Sequence, residues 1–247
     1  MMTPQRRASV KKRRRALVTG GAIRLGRAIA LTLARAGMDV AIGYHRSTGD
    51  ARRTVADIQA HGVHGTALRV DLADPRAARE LVKSAARVLG GLDVLVNNAA
   101  VFFRTPFAAT TPAQYDALLD VNLRGPFFCA QAAAAAMGRG GGHIVNIADV
   151  AAERAWPGYI PYALSKAGIV VLTRNLAVAL RPQKIAVNCV APGAVLRPAG
   201  FPRTRWKAIT RGHEGGPDDV ATAVLFFATC PRYITGQVLR VDGGESA

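Results

Sequence analysis

The chain is predicted to be α/β, with a parallel sheet covered by helices on both faces. Three observations carry this. From residue 15 onward, short β-rich runs alternate with helical patterns. Those runs are apolar on both sides, as strands buried from both faces must be. A glycine-rich turn, Thr19-Gly-Gly-Ala-Ile-Arg-Leu-Gly26, joins the first run to the first helix. Together they predict a single Rossmann-type, doubly wound domain over residues 15–247 with a mostly seven-stranded parallel sheet.

Each element has a local cause. Arg15–Thr19 reads as the first strand, and Arg24 to Arg35 as a helix closed by Gly37. Asp39–Gly43 is a second strand, Asp50 to His61 a helix, and Gly65–Val70 a third strand. Pro75 to Leu89 is a helix with proline at its start. Leu92–Val96 is the fourth strand. Pro112 to Met137 reads as one long helix bent near Gly125-Pro126. His143–Ile147 is the fifth strand, Pro161 to Leu180 a helix, and Lys184–Val190 the sixth strand. Asp218 to Thr229 is a helix, and Gln237–Val241 the last strand. Arg197 to Gly216, rich in Pro, Gly and Arg, has the weakest periodicity and reads as a mobile segment over a pocket.

The 247 residues suffice for one large domain with a buried core, and half of them are hydrophobic. No apolar run is long enough to span a membrane. The start is basic without the apolar core of a secretory signal. The three cysteines are far apart without metal-ligand spacing, so they read as buried thiols in a reducing, cytoplasmic setting. The +17 formal charge is uneven, because residues 1–15 hold seven Lys or Arg and no acid. Residues 1–14 read as a disordered basic tail rather than a nucleic-acid arm.

The chemistry-bearing residues recur at strand ends. Tyr162 and Lys166 stand four apart in Tyr-Ala-Leu-Ser-Lys, so they share a helix face. An ammonium beside a phenol favours the phenolate and tunes the tyrosine as a proton donor. Asp149, just past the fifth strand, is placed to join them. The competing reading makes Asp149 the cap of a turn. In the glycine-rich turn, Gly20 lets backbone N–H groups approach a pyrophosphate, and Arg24 stands where glycine is common, positioned for a phosphate or a substrate. The segment Tyr44-His45-Arg46-Ser47 ends the second strand with donors where an NAD-binding fold would place an acid, which argues for NADPH. Asp71-Leu72 ends the third strand, where a carboxylate can accept from an adenine amino group. Asn97-Asn98-Ala99-Ala100 ends the fourth, with small residues for close approach. Asn122 sits mid-helix against its propensity, which implies a specific hydrogen bond. Pro192-Gly193 follows the sixth strand.

This ordered set resembles the short-chain dehydrogenase/reductase family over nearly all of residues 15–244, closing on Val241-Asp-Gly-Gly244. The resemblance implies NAD(P)(H) hydride transfer, a homotetramer, and a catalytic set of Asn122, Asp149, Tyr162 and Lys166. Within that set, Tyr162 would be the acid, Lys166 would lower its pKa and hold the ribose, and Asn122 would organise a relay water. Gly20, Arg24, Leu25, Asp71, Leu72, Asn98, Ala99, Pro192, Gly193 and Val195 would join Tyr44–Ser47 in cofactor binding. The family's usual fourth catalytic member is a serine, and this chain has Asp149. That departure, with Arg24, Tyr44–Ser47 and Asn97–Phe103, resembles the pteridine reductases. The subgroup implies Phe102 stacking on a pterin, with Arg24, Asp149 and Tyr162 also at the substrate. Ala100 departs from it, since those enzymes can carry serine there.

Asp149 bears on the substrate. An ionised carboxylate only accepts hydrogen bonds and repels charge growing on a carbonyl oxygen. It therefore favours a heterocycle presenting N–H groups, a pteridine or dihydrofolate-like ring, over a simple ketone. The alternative is a reductase of a ketone or 3-oxoacyl substrate. A binding protein using the basic tail is least consistent with the Tyr162/Lys166 pair. The expected partners are a small molecule and further copies of the chain, without nucleic acid or membrane.

Overall fold

The computed structural model describes residues 13–197, 202–210 and 215–246. Seven strands form one sheet in the order β3-β2-β1-β4-β5-β6-β7. They are β1 (Arg15–Thr19), β2 (Asp39–Tyr44), β3 (Gly65–Arg69), β4 (Val94–Asn97), β5 (Gly142–Ile147), β6 (Ile185–Pro192) and β7 (Val238–Val241). Every pairing is parallel, and the order reverses between β1 and β4, so loops leaving these two strands part and open a crevice. The helices are α1 (Arg24–Arg35), α2 (Thr48–Ala60), α3 (Pro75–Leu89), α4 (Pro112–Leu119), α5 (Gly125–Met137), α6 (Ile160–Ala179), α7 (Arg203–Thr210) and α8 (Pro217–Thr229).

The strands alternate between two cores, which is why they read as continuously apolar. Val18, Ile42, Val96 and Val145 pack under α1, α2 and α8, while Leu17, Ala41, Leu95 and Ile144 pack under α3 and α5. Two elements differ from the sequence expectation. The long helix is interrupted by a π-turn at Asp120–Arg124, upstream of Pro126, so an inserted residue rather than the proline ring breaks the register. The Arg197–Gly216 segment contains α7, whose short apolar face was hidden among basic residues. Most of the tail lies outside the described residues. Its last member, however, is anchored: the Arg14 guanidinium donates to the Ala228 carbonyl at 2.7 Å, and its own carbonyl accepts from Asp39 N–H.

Cys129, Cys189 and Cys230 are buried free thiols, as expected, and burial pushes the first two up to about 12 and about 11. No helix among the described residues is long and apolar enough to cross a membrane.

A buried polar ladder ties the central strands to α6. Asn97 Nδ2 donates to Asn146 Oδ1 at 2.9 Å, and Asn146 Nδ2 donates to Thr173 Oγ1 at 2.9 Å. At the opposite end of β5, His143 is buried with Nδ1 unpartnered. Burial, then the Arg14 and Arg232 charges, lower its pKa from 6.5 to about 4. The unfolded chain therefore binds the proton first as pH falls. The stability present above pH 6.5 is lost towards pH 4, by roughly 3 kcal/mol. Urea unfolding of the wild type should lose more stability between pH 6.5 and 4.5 than that of His143→Leu; equal losses would contradict this assignment.

Candidate active site

The expected acid, base and lysine converge at the carboxyl edge of the sheet. Asp149 follows β5, and Tyr162 and Lys166 occupy the first turns of α6. The Tyr162 hydroxyl donates to Asp149 Oδ2 at 2.7 Å. Asp149 Oδ1 accepts from Ala151 N–H at 2.8 Å, so the residue caps its turn and holds the tyrosine at once. Lys166, buried, donates to the Ile147 carbonyl at 2.9 Å, with Nζ 5.7 Å from the centre of the Tyr162 ring.

The electrostatics correct the sequence expectation for Tyr162. Its pKa is raised well above 10, first by burial and then by the Asp149 charge and hydrogen bond. Lys166 is itself pulled down by burial and spends a proton on Ile147. Burial likewise raises the Asp149 carboxyl, against the pull of Ala151 N–H, Tyr162 and Lys166, while Glu245 pushes it further up. A neutral phenol held against an acceptor thus replaces the expected phenolate-leaning tyrosine.

Asn122 makes the specific hydrogen bonds that its mid-helix position implied. Its Oδ1 accepts from Val101 N–H at 2.8 Å, and its Nδ2 reaches the Val101 carbonyl at 3.0 Å and Ser165 Oγ at 3.2 Å. The side chain clamps the segment after β4 to α6. That segment carries Phe102, which stacks on Tyr159 (4.8 Å, 6°) and meets Tyr162 edge to face (4.8 Å, 73°). Trp156 adds a tilted fourth ring. Phe102 and Trp156 remain partly exposed, giving an aromatic wall beside the acid pair. Tyr159 and Trp156 were not singled out from sequence, because their partner lies more than fifty residues away.

The glycine-rich turn fits a phosphate. Gly20 has φ +64, and a Cβ on Gly26 would run into the Gly20 carbonyl. Arg24 takes φ +52, the conformation for which glycine is usual, so its side chain is kept at a backbone cost. The α1 N-terminus has no side-chain cap and no acid in its first turn, leaving its N–H groups to an anion. Asn98 acts on this turn indirectly: its Nδ2 donates to the Thr19 carbonyl at 2.9 Å, and Thr19 Oγ1 accepts from Asn98 and Ala99 N–H at 3.0 Å. Thr19 is a site residue whose role only this contact reveals.

Beside the glycine-rich turn, His45 and Arg46 are exposed at the end of β2, and Ser47, the N-cap of α2, accepts no hydrogen bond from its backbone N–H groups. Asp71 Oδ2 lies 3.8 Å from His45 Nε2. Leu72 is buried in one core, and Leu25 and Val195 are partly buried against the other. Pro192 ends β6, and Gly193 N–H is bound to the Val241 carbonyl at 3.0 Å.

Fold and site define an oxidoreductase-type nucleotide-binding α/β enzyme with a Tyr/Lys pair at the switch point of its sheet. The family model described as Enoyl-(Acyl carrier protein) reductase matches residues 21–246. The chain belongs to the short-chain dehydrogenase/reductase family, and so to the NAD(P)-dependent oxidoreductases. A 3-oxoacyl-(acyl-carrier-protein) reductase of Staphylococcus aureus is 35% identical over 243 residues, covering 95% of this chain and 99% of the relative. A short-chain dehydrogenase from Burkholderia cenocepacia, solved with NADP, is 40% identical at TM-score 0.89, covering 95% and 98% of the two chains. A blue fluorescent protein from a metagenomic library, solved with NADPH, is 38% identical at TM-score 0.89 with the same coverage.

Replacing Asp149 by Asn removes one charge but not the burial of Tyr162. In 13C-labelled tyrosine NMR, Asp149→Asn should lower the Tyr162 pKa while leaving it above the ordinary value; an unchanged titration would contradict the coupling.

Proposed function

We propose that the protein is an NADPH-dependent reductase of a flat nitrogen heterocycle of the pteridine class, dihydropterin or dihydrofolate-like. The observation that carries this is the half-buried carboxyl of Asp149 against the Tyr162 hydroxyl, beside the Phe102–Tyr159–Trp156 wall. A carboxylate accepts from ring N–H and amino groups, and aromatic side chains complement a planar ring.

On this reading the uncapped α1 N-terminus, the Gly20 turn and Arg24 hold the pyrophosphate, and Tyr44–Ser47 take the 2′-phosphate. Asp71 and the Leu72 backbone border the adenine. Ala99 admits the cofactor closely, Lys166 binds the ribose, and Pro192, Gly193 and Val195 border the nicotinamide. NADPH bound there supplies a hydride to a ring carbon. Tyr162 delivers its proton to the adjacent ring nitrogen, so that C=N becomes CH–NH and the pair of added atoms balances. Asp149 orients the ring and holds the phenol. Lys166 offsets the negative charge left on the tyrosine oxygen.

A second reading, reduction of a ketone or 3-oxoacyl group, is favoured by the Staphylococcus relative, whose name states that activity. The names of the relatives support it more directly than they support a ring. Chemically it requires Asp149 in its protonated form, which its raised pKa favours.

A homotetramer and a cytoplasmic location complete the proposal. Leu164, Val171 and Val178 repeat every seven residues along α6 and are exposed, which supports association of copies through this helix. The buried free thiols suit a reducing compartment.

The test is NADPH and NADH oxidation with 7,8-dihydrobiopterin beside a 3-oxoacyl substrate. The proposal expects pterin turnover with NADPH preferred, and at least tenfold loss of that preference in Arg46→Ala. Turnover of the 3-oxoacyl substrate alone would overturn the ring reading, and an unchanged cofactor ratio would overturn the 2′-phosphate site.

A further inference from the structure

Beyond the end of β6 lies a cleft of about 340 Å³ whose cationic residues have no part in the reaction above. It is lined by Val195, Arg203, Trp206, Lys207 and neighbours. Arg203 and Lys207 stand four apart on α7 and so share one face. Two like charges at this spacing destabilise a helix. The described lining contains cations and no carboxylate. Asp219, near its rim, is turned onto Gly216 N–H at 2.7 Å. The buried ring of Trp206 adds an apolar wall.

The cleft opens on the sheet edge that carries the acid pair. Ile147 of β5 is in register with Val190 of β6. Asp149 and Val195 lie in the loops that leave these adjacent strands, two residues beyond Ile147 and five beyond Val190. A ligand seated at Asp149 and Tyr162 can therefore extend across Gly193 and Val195 toward α7.

We infer that Arg203 and Lys207 form a subsite for an anionic appendage of the substrate, a carboxylate or phosphate carried some distance from the reacting atoms. This rests on the reductase reading of the neighbouring site, and it holds for either class of reacting group. Guanidinium and ammonium groups bind such anions by charge-assisted hydrogen bonds, and Trp206 packs against the linking carbon chain.

The experiment compares two matched pairs on the wild type and on Arg203→Gln/Lys207→Gln. One pair is 7,8-dihydrofolate, with its glutamate carboxylates, against uncharged 7,8-dihydrobiopterin. The other is a 3-oxoacyl-coenzyme A, with its phosphates, against a neutral 3-oxo ester. For the pair that turns over, the double variant should raise KM for the anionic member about tenfold. The kcat should hold, the neutral member should shift less than twofold, and the difference should shrink with added salt. Equal effects on both members, or none, overturn the subsite. Turnover confined to the 3-oxo pair, with the anion effect present, overturns the ring reading and upholds the subsite. Turnover of neither pair overturns both.

Discussion

The hydrogen bond from Tyr162 to Asp149 is the constraint around which the site is organised. It joins the end of β5 to the first turn of α6 and therefore requires both to be fixed from elsewhere. The fixing groups are backbone carbonyls and buried amides. Lys166 ties α6 to Ile147, Asn146 ties β5 to Thr173 on α6, and Asn97 ties β4 to Asn146. Each is buried, where an unpaired polar group is costly, so the alternatives to this arrangement lie well above it. The reactive pair thus inherits its position from a polar scaffold inside an otherwise apolar core.

The same burial sets the proton inventory. Desolvation lifts the carboxyl and the phenol together, and the phenol donates to the carboxyl oxygen. A tyrosine in this state is a reluctant acid. It gives up its proton when a basic acceptor arrives and the lysine charge is near to stabilise the oxygen that remains. A ring nitrogen accepting negative charge from a hydride is such an acceptor. The carbonyl reading uses the same geometry with the proton on Asp149 at the start, which is why substrate choice and the Asp149 proton are one question.

Much of this was legible in the chain. The seven-stranded parallel sheet followed from alternating buried runs, and the pairing of Tyr162 with Lys166 followed from a spacing of four. Arg24 stood out because glycine is usual there, and the structure gives it the φ that explains why. What stayed hidden depends on distant contacts. The clamp of Asn122 on Val101 is made with backbone, which leaves no mark in residue type. The stacking of Phe102 on Tyr159 joins two segments that fold geometry alone brings together. The π-turn at Asp120–Arg124 and the helix Arg203–Thr210 have no periodic signature long enough to read. The phenol was read from its lysine neighbour, because burial and the Asp149 contact exist only in the folded chain.

The most direct measurement is the substrate profile of Asp149→Ser, assayed with saturating NADPH on 7,8-dihydrobiopterin and on a 3-oxoacyl substrate. A serine hydroxyl can donate to a carbonyl oxygen where a carboxylate cannot. The account predicts loss of pterin turnover by at least tenfold together with a rise in 3-oxoacyl turnover. Pterin turnover that survives the substitution unchanged would contradict the claim that this carboxyl selects the substrate.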